Sequence, residues 1–177
     1  MKRIVLTFGL IAGAILAVMM LLTLPFHDQI GFDKGYIIGY TTMVLAFLMI
    51  FVGVKTYRDT VAGGKVTFGQ AFKVGLLIML VASVCYVVTW EFIYYTISPD
   101  YLDKYASYSI EKLKQSGASA EVVAAKTQEM AKFKVMYQNP LVNIAFTLLE
   151  PLPVGLLFTL VAAAVLSRKR PALEAIA

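Results

Sequence analysis

Chemically active side chains are scarce in this chain. It holds one cysteine, Cys85, and one histidine, His27. An internal disulfide is therefore excluded, and no Cys or His pair exists to hold a metal. Cys85 lies inside an apolar run, where a thiol reads as a small buried hydrophobe. His27 sits in a polar connection beside Asp28, where a histidine reads as solvated rather than ligating. With no Ser/His or Cys/His set, the chain is expected not to be an enzyme and to carry no cofactor. Charge is also in short supply, at 15% of 177 residues against roughly 25% in ordinary soluble domains.

Hydrophobic residues take the place of charge, at 59% of the chain. They are gathered into runs long enough to cross a ~30 Å hydrocarbon core at ~1.5 Å per residue. The spans are expected at about 4–24, 36–54, 74–97 and 141–166. The formal net charge of +5 clusters at the ends of these runs, so it points to membrane orientation and not to nucleic acid. The fold expected is all-α: a single transmembrane domain over residues 1–170, followed by a short cytoplasmic tail at 171–177. A signal peptide is the competing reading of the first run. That run is longer than the usual ~7–15 residues, and no small-x-small cleavage site follows it.

The connections are informative. Thr67 and Gln70 have capping-box spacing, which starts the third helix before the membrane. Ser98-Pro99 and Asn139-Pro140 both read as a cap followed by proline at the first helical position. Between them, about 99–138 reads as a helical hairpin broken at Ser116-Gly117, with its second helix starting at Ser119. Tyr101, Tyr105 and Tyr108 fall on one face of its first helix; Val123, Met130, Phe133 and Tyr137 approximate a stripe on the second. Lys and Arg number 2 at the amino end, 4 in the second connection and 3 in Arg168-Lys169-Arg170. The first connection has 1, and the hairpin's six lysines are offset by five acids. Both termini are accordingly expected in the cytoplasm and the hairpin outside. Lys55, Arg58, Lys65 and Lys73 are candidate contacts for lipid headgroups.

Two small-residue pairs, Gly9/Gly13 and Gly35/Gly39, are candidates for close helix approach, within the bundle or between copies. The fourth span carries the most unusual feature, Glu150-Pro151-Leu152-Pro153. Pro151 and Pro153 have no N–H, so the carbonyls of Thr147 and Leu149, four residues earlier, lose their helical donors. A carboxylate at mid-helix costs roughly 2.5–3.5 kcal/mol of insertion, while each Leu, Ile, Phe or Val returns roughly 0.3–0.6, so the span survives. Glu150 has two readings: an acid bonded to a neighbouring helix at a proline kink, or a proton or ion site with the Thr147 and Leu149 oxygens. Glu91, beside Trp90 near the end of the third span, either reaches out to water or shares a polar pocket with Glu150. By rise along the helices the two lie ~9 and ~14 Å from the same membrane face.

Lys55-x-Tyr57-Arg58-Asp59, then Gly63-Gly64-x-Val66-Thr67-Phe68-Gly69-x-Ala71-Phe72-Lys73-x-Gly75, and later Glu150-x-x-Pro153-Val154-Gly155-Leu156 resemble the bacterial four-span membrane family catalogued as domain of unknown function 4199. The resemblance covers about residues 4 to 170, and Pro151 is an addition to the family's pattern. It implies the four-span topology and a bacterial cell (inner) membrane location, and it brings no activity or cofactor. Two functions follow as expectations. The first is a non-enzymatic accessory or structural subunit whose partners are lipids and another membrane protein. The alternative is a homo-oligomeric proton- or cation-coupled transporter or channel using Glu150 and Glu91.

Overall fold

A computed structural model of the chain describes residues 1–168, without the side chains of Pro25, His27 and Asp28. The readings of His27, of Lys169-Arg170 and of the tail Pro171 to Ala177 lie outside the described residues. Among the described residues every regular element is helical: α1 Lys2–Thr23, the short α2 His27–Ile30, α3 Phe32–Thr60, α4 Phe68–Phe92, α5 Tyr101–Gln115, α6 Ala120–Tyr137, α7 Pro140–Leu149 and α8 Pro151–Leu166. Four apolar helical stretches of 22, 29, 30 and 27 residues are α1, α3, α4 with its final π turn, and α7 with α8. At ~1.5 Å per residue each exceeds the ~30 Å hydrocarbon core. Their outer faces carry Leu10, Leu22, Ile37, Val84, Val88 and Leu157, all exposed. Helices apolar on the outside as well as the inside have lipid as their solvent, and the chain is a multi-pass membrane protein.

Glycine contacts fix how the helices run. A Cβ on Gly9 would lie 2.6 Å from Val81 Cβ, and one on Gly13 2.6 Å from Cys85 Cβ, so α1 and α4 lie parallel, with the α1 backbone pressed onto the side chains of α4. The pair Gly9/Gly13 is thus used inside the bundle, and Cys85 is its packing partner. Gly155 meets Met79 and Gly75 meets Thr159; as one number rises the other falls, so α4 and α8 are antiparallel. The result is an up-down-up-down bundle. Its terminal end gathers the start of α1, the end of α3, the start of α4 and the end of α8. This half is close-packed, with Ala12, Ala46, Phe47, Ile50, Ile78, Ala82 and Ala162 fully buried.

Local signals explain most of the element ends. Thr67 Oγ1 accepts from Gln70 N–H and Gln70 Oε1 accepts from Thr67 N–H, the expected capping box. Asn139 Oδ1 accepts from Leu141 N–H ahead of Pro140. Gly117, at φ 78°, makes the break between α5 and α6, and Ser119 caps α6. Ser98 is a correction: it does not open α5, which starts at Tyr101. The Ser98 N–H donates to the Ile93 carbonyl and so ends a π turn over Ile93–Ile97, leaving Ser98 outside the next helix. Arg58 is a second correction. Gly63 and Gly64, at φ 63° and 83°, turn the connection back so that Gly64 N–H donates to the Arg58 carbonyl. Arg58 is only 8% exposed and its Nε donates to Asp59 Oδ1. It is no free headgroup contact, whereas Lys55, Lys65 and Lys73 are exposed.

Candidate functional site: an aromatic vestibule ending at Glu150

At the other end the bundle opens. A cavity of about 580 Å³ lies between the last turns of α1, the first half of α3, the end of α4 and α7, with α5 and α6 against it. Leu16, Met19, Met20, Ile38 and Met43 make one side of it; Tyr36, Trp90, Tyr101, Tyr105, Tyr137 and Phe146 make the aromatic part. Gly35 and Gly39 line it, and a Cβ on Gly39 would meet nothing within 4 Å. Gly39 therefore leaves room for the cavity and is pressed against no other helix of this chain.

Glu150 stands in the wall. It is the single residue between α7 and α8, about ten residues or ~15 Å from the Pro140 end, near the middle of a membrane core. The span is divided there into two helices, α7 and α8, at the residue that precedes Pro151. Tyr86 Oη donates to Glu150 Oε2 at 2.5 Å, and the other oxygen receives none of the described hydrogen bonds. Tyr36, Tyr86, Tyr101 and Tyr137, from four different helices, all lie within electrostatic range of the carboxylate. No Lys or Arg is among the residues lining the cavity. Burial pushes the Tyr101 hydroxyl well above its ordinary range, so it stays a neutral phenol.

The other expected site residues are distributed differently. Leu149 lines the cavity. The Thr147 side chain is buried outside it in a hydrogen-bonded chain: Trp90 Nε1–H donates to Tyr137 Oη at 3.0 Å and to Asn143 Oδ1 at 3.2 Å. Thr147 Oγ1 donates to Asn143 Oδ1 at 3.1 Å. Its one proton is then used, so the 3.3 Å contact with Tyr137 must take its proton from the tyrosine. Glu91 does not join Glu150. Tyr86 and Trp90, four apart, share one face of α4, and Glu91 is turned ~100° from Trp90 and does not line the cavity. Its Oε1 is buried with no partner among the described residues.

The profile of the family described as "Protein of unknown function (DUF4199)" matches residues 7–168. The chain belongs to the DUF4199 family. No curated protein and no solved structure matches it. The match takes in the first span of this DUF4199 protein from residue 7, the whole of the other three, α5 and α6, and every residue of the vestibule just described. No group of three or more His, Cys, Asp or Glu that could hold a metal occurs among its described residues.

Proposed function

We propose that this DUF4199 protein is a non-enzymatic carrier of the bacterial inner membrane that takes up a proton or a monovalent cation at Glu150. Both termini face the cytoplasm and α5–α6 the outside, in keeping with Lys2, Arg3, Lys55, Lys65, Lys73 and Arg168 at the terminal end. The observation that carries this reading is the Tyr86–Glu150 hydrogen bond in the cavity wall. On this reading Glu150 is the titratable group at membrane depth, reached through the cavity from the α5–α6 end. The close-packed half blocks an open pore, so passage requires rearrangement, and the Glu150 joint between α7 and α8 is the natural hinge.

The accessory-subunit reading keeps one supporting observation. Val135 on α6 is 70% exposed with Met136 beside it, apolar surface of the kind that another membrane protein or a second copy covers. Vesicle flux separates the two. Under an imposed potential, Glu150→Gln is expected to lower proton entry to the rate of empty vesicles while the protein remains folded. Flux equal to the unsubstituted protein's would remove Glu150 from the mechanism and leave the accessory reading.

A further inference from the structure

We infer that the vestibule takes an amphipathic organic monocation: one protonated amine or quaternary ammonium on a compact apolar body. This rests on the reading of Glu150 as the cation site and adds the class of molecule that occupies it. Size is the first argument. About 580 Å³ falls within the ~300–1,000 Å³ of small-molecule sites, far more than a proton or a bare ion requires.

Charge is the second. Among the described residues the lining offers one carboxylate and no basic side chain, so an anion meets no opposite charge there. Among those residues a divalent ion finds no second carboxylate. A single positive charge is what the wall complements.

The wall around that carboxylate is the third. Trp90, Tyr36 and Tyr101 bring aromatic rings to the cavity beside Glu150, the surroundings that favour an ammonium over a hydrated metal ion. Met19, Met20 and Ile38 face them with flexible apolar surface suited to the rest of such a molecule. A free ammonium lacking that body would leave this surface uncovered.

Trp90 is the chain's only tryptophan, so its fluorescence reports occupancy. The test titrates the full chain in lipid nanodiscs with 1-adamantylamine and, separately, with its neutral analogue 1-adamantanol. The amine should give a saturable change and bind at least roughly tenfold tighter than the alcohol, because only the amine meets the carboxylate with a charge. Glu150→Gln retains an oxygen to accept the Tyr86 hydroxyl and should erase that preference. Gly39→Leu fills the open space at that glycine and should abolish binding of the amine while leaving thermal stability unchanged. Equal affinity for amine and alcohol, or an amine affinity indifferent to Glu150→Gln, would overturn the assignment. If no amine binds and proton flux still depends on Glu150, the ligand class is wrong and the cation site stands. If flux and binding both ignore Glu150→Gln, both are wrong.

Discussion

Changing both Gly9 and Gly13 to leucine is expected to leave no folded protein to purify. Lipid tails are as apolar as leucine, so helices in a membrane are held together by close packing and not by escape from water. At this seam the glycine backbone of α1 lies directly on the Val81 and Cys85 side chains of α4. A Cβ at Gly9 would also lie 3.2 Å from the Ile78 carbonyl, and one at Gly13 2.7 Å from Cys85 Sγ. A leucine side chain has nowhere to go without parting α1 from α4. Overpacking costs about 1–3 kcal/mol even for modest insertions, so two whole leucines on one seam cost at least roughly 2–6 kcal/mol, which reaches the low end of a typical stability of ~5–15 kcal/mol. Gly39→Leu is the control, since open space surrounds it. Size-exclusion profiles and melting in detergent check the pair: an aggregated double variant beside a Gly39→Leu protein that melts like the unsubstituted chain. A monodisperse Gly9→Leu/Gly13→Leu protein with an unchanged melting temperature would contradict the parallel α1–α4 seam.

Tyr137→Phe is expected to loosen α5 and α6 from the bundle without melting the bundle. The Tyr137 hydroxyl is the centre of the chain from Trp90 to Thr147, accepting from one and donating to the other. Asn143 behind it is fully buried. Phenylalanine leaves the Trp90 N–H with Asn143 alone, and the loss of a buried bridge costs about 1–3 kcal/mol. Elsewhere α5 is held by Phe32, whose ring lies 5.8, 5.4 and 4.8 Å from those of Tyr101, Tyr105 and Tyr108. Lys112 to Asp33 adds an exposed ion pair that contributes little. Amide exchange should therefore speed up roughly tenfold or more in α6 and stay the same in α1 and α4. Burial raises the Tyr137 hydroxyl above its ordinary value. A raised folded-state value means the contribution is complete below the unfolded value near ~10 and is lost as pH rises through the folded one. Across the physiological range the bridge is constant. Unchanged exchange in α6 would show that the aromatic contacts alone hold these helices.

How much of this was readable in advance depends on whether a signal was local or needed two helices at once. Thr67/Gln70, Ser116-Gly117 and Asn139-Pro140 act through neighbouring backbone groups, and each ends or starts a helix as its residues suggest. Ser98 misleads because the preceding helix runs on through a π turn that ends at it, so the next helix starts only at Tyr101. Arg58 misleads because a positive charge in a connection normally faces water, and here it lies in the last turn of α3, buried and bonded to Asp59. Glu150 was legible as the one acid within the fourth apolar run. Its partner Tyr86 was not, because the pairing exists only through the antiparallel register of α4 with α7 and α8. One signal for the buried chain was present: Asn143, Thr147 and Glu150 fall at i, i+4 and i+7, a polar stripe on one helix face. Glu91 shows the limit of counting depth alone, since rise along a helix says nothing about rotation about it.

The one-sided vestibule is tested most directly by placing a thiol inside it. In a Cys85→Ser background, Gly39→Cys puts a single cysteine in the open space of the cavity wall, and a membrane-impermeant thiol reagent is applied to sealed vesicles from each side in turn. Labelling is expected only from the side of α5 and α6, and 1-adamantylamine should slow it. Labelling from the side of the termini, or at equal rates from both, would contradict a cavity that opens at one end and stops at Glu150.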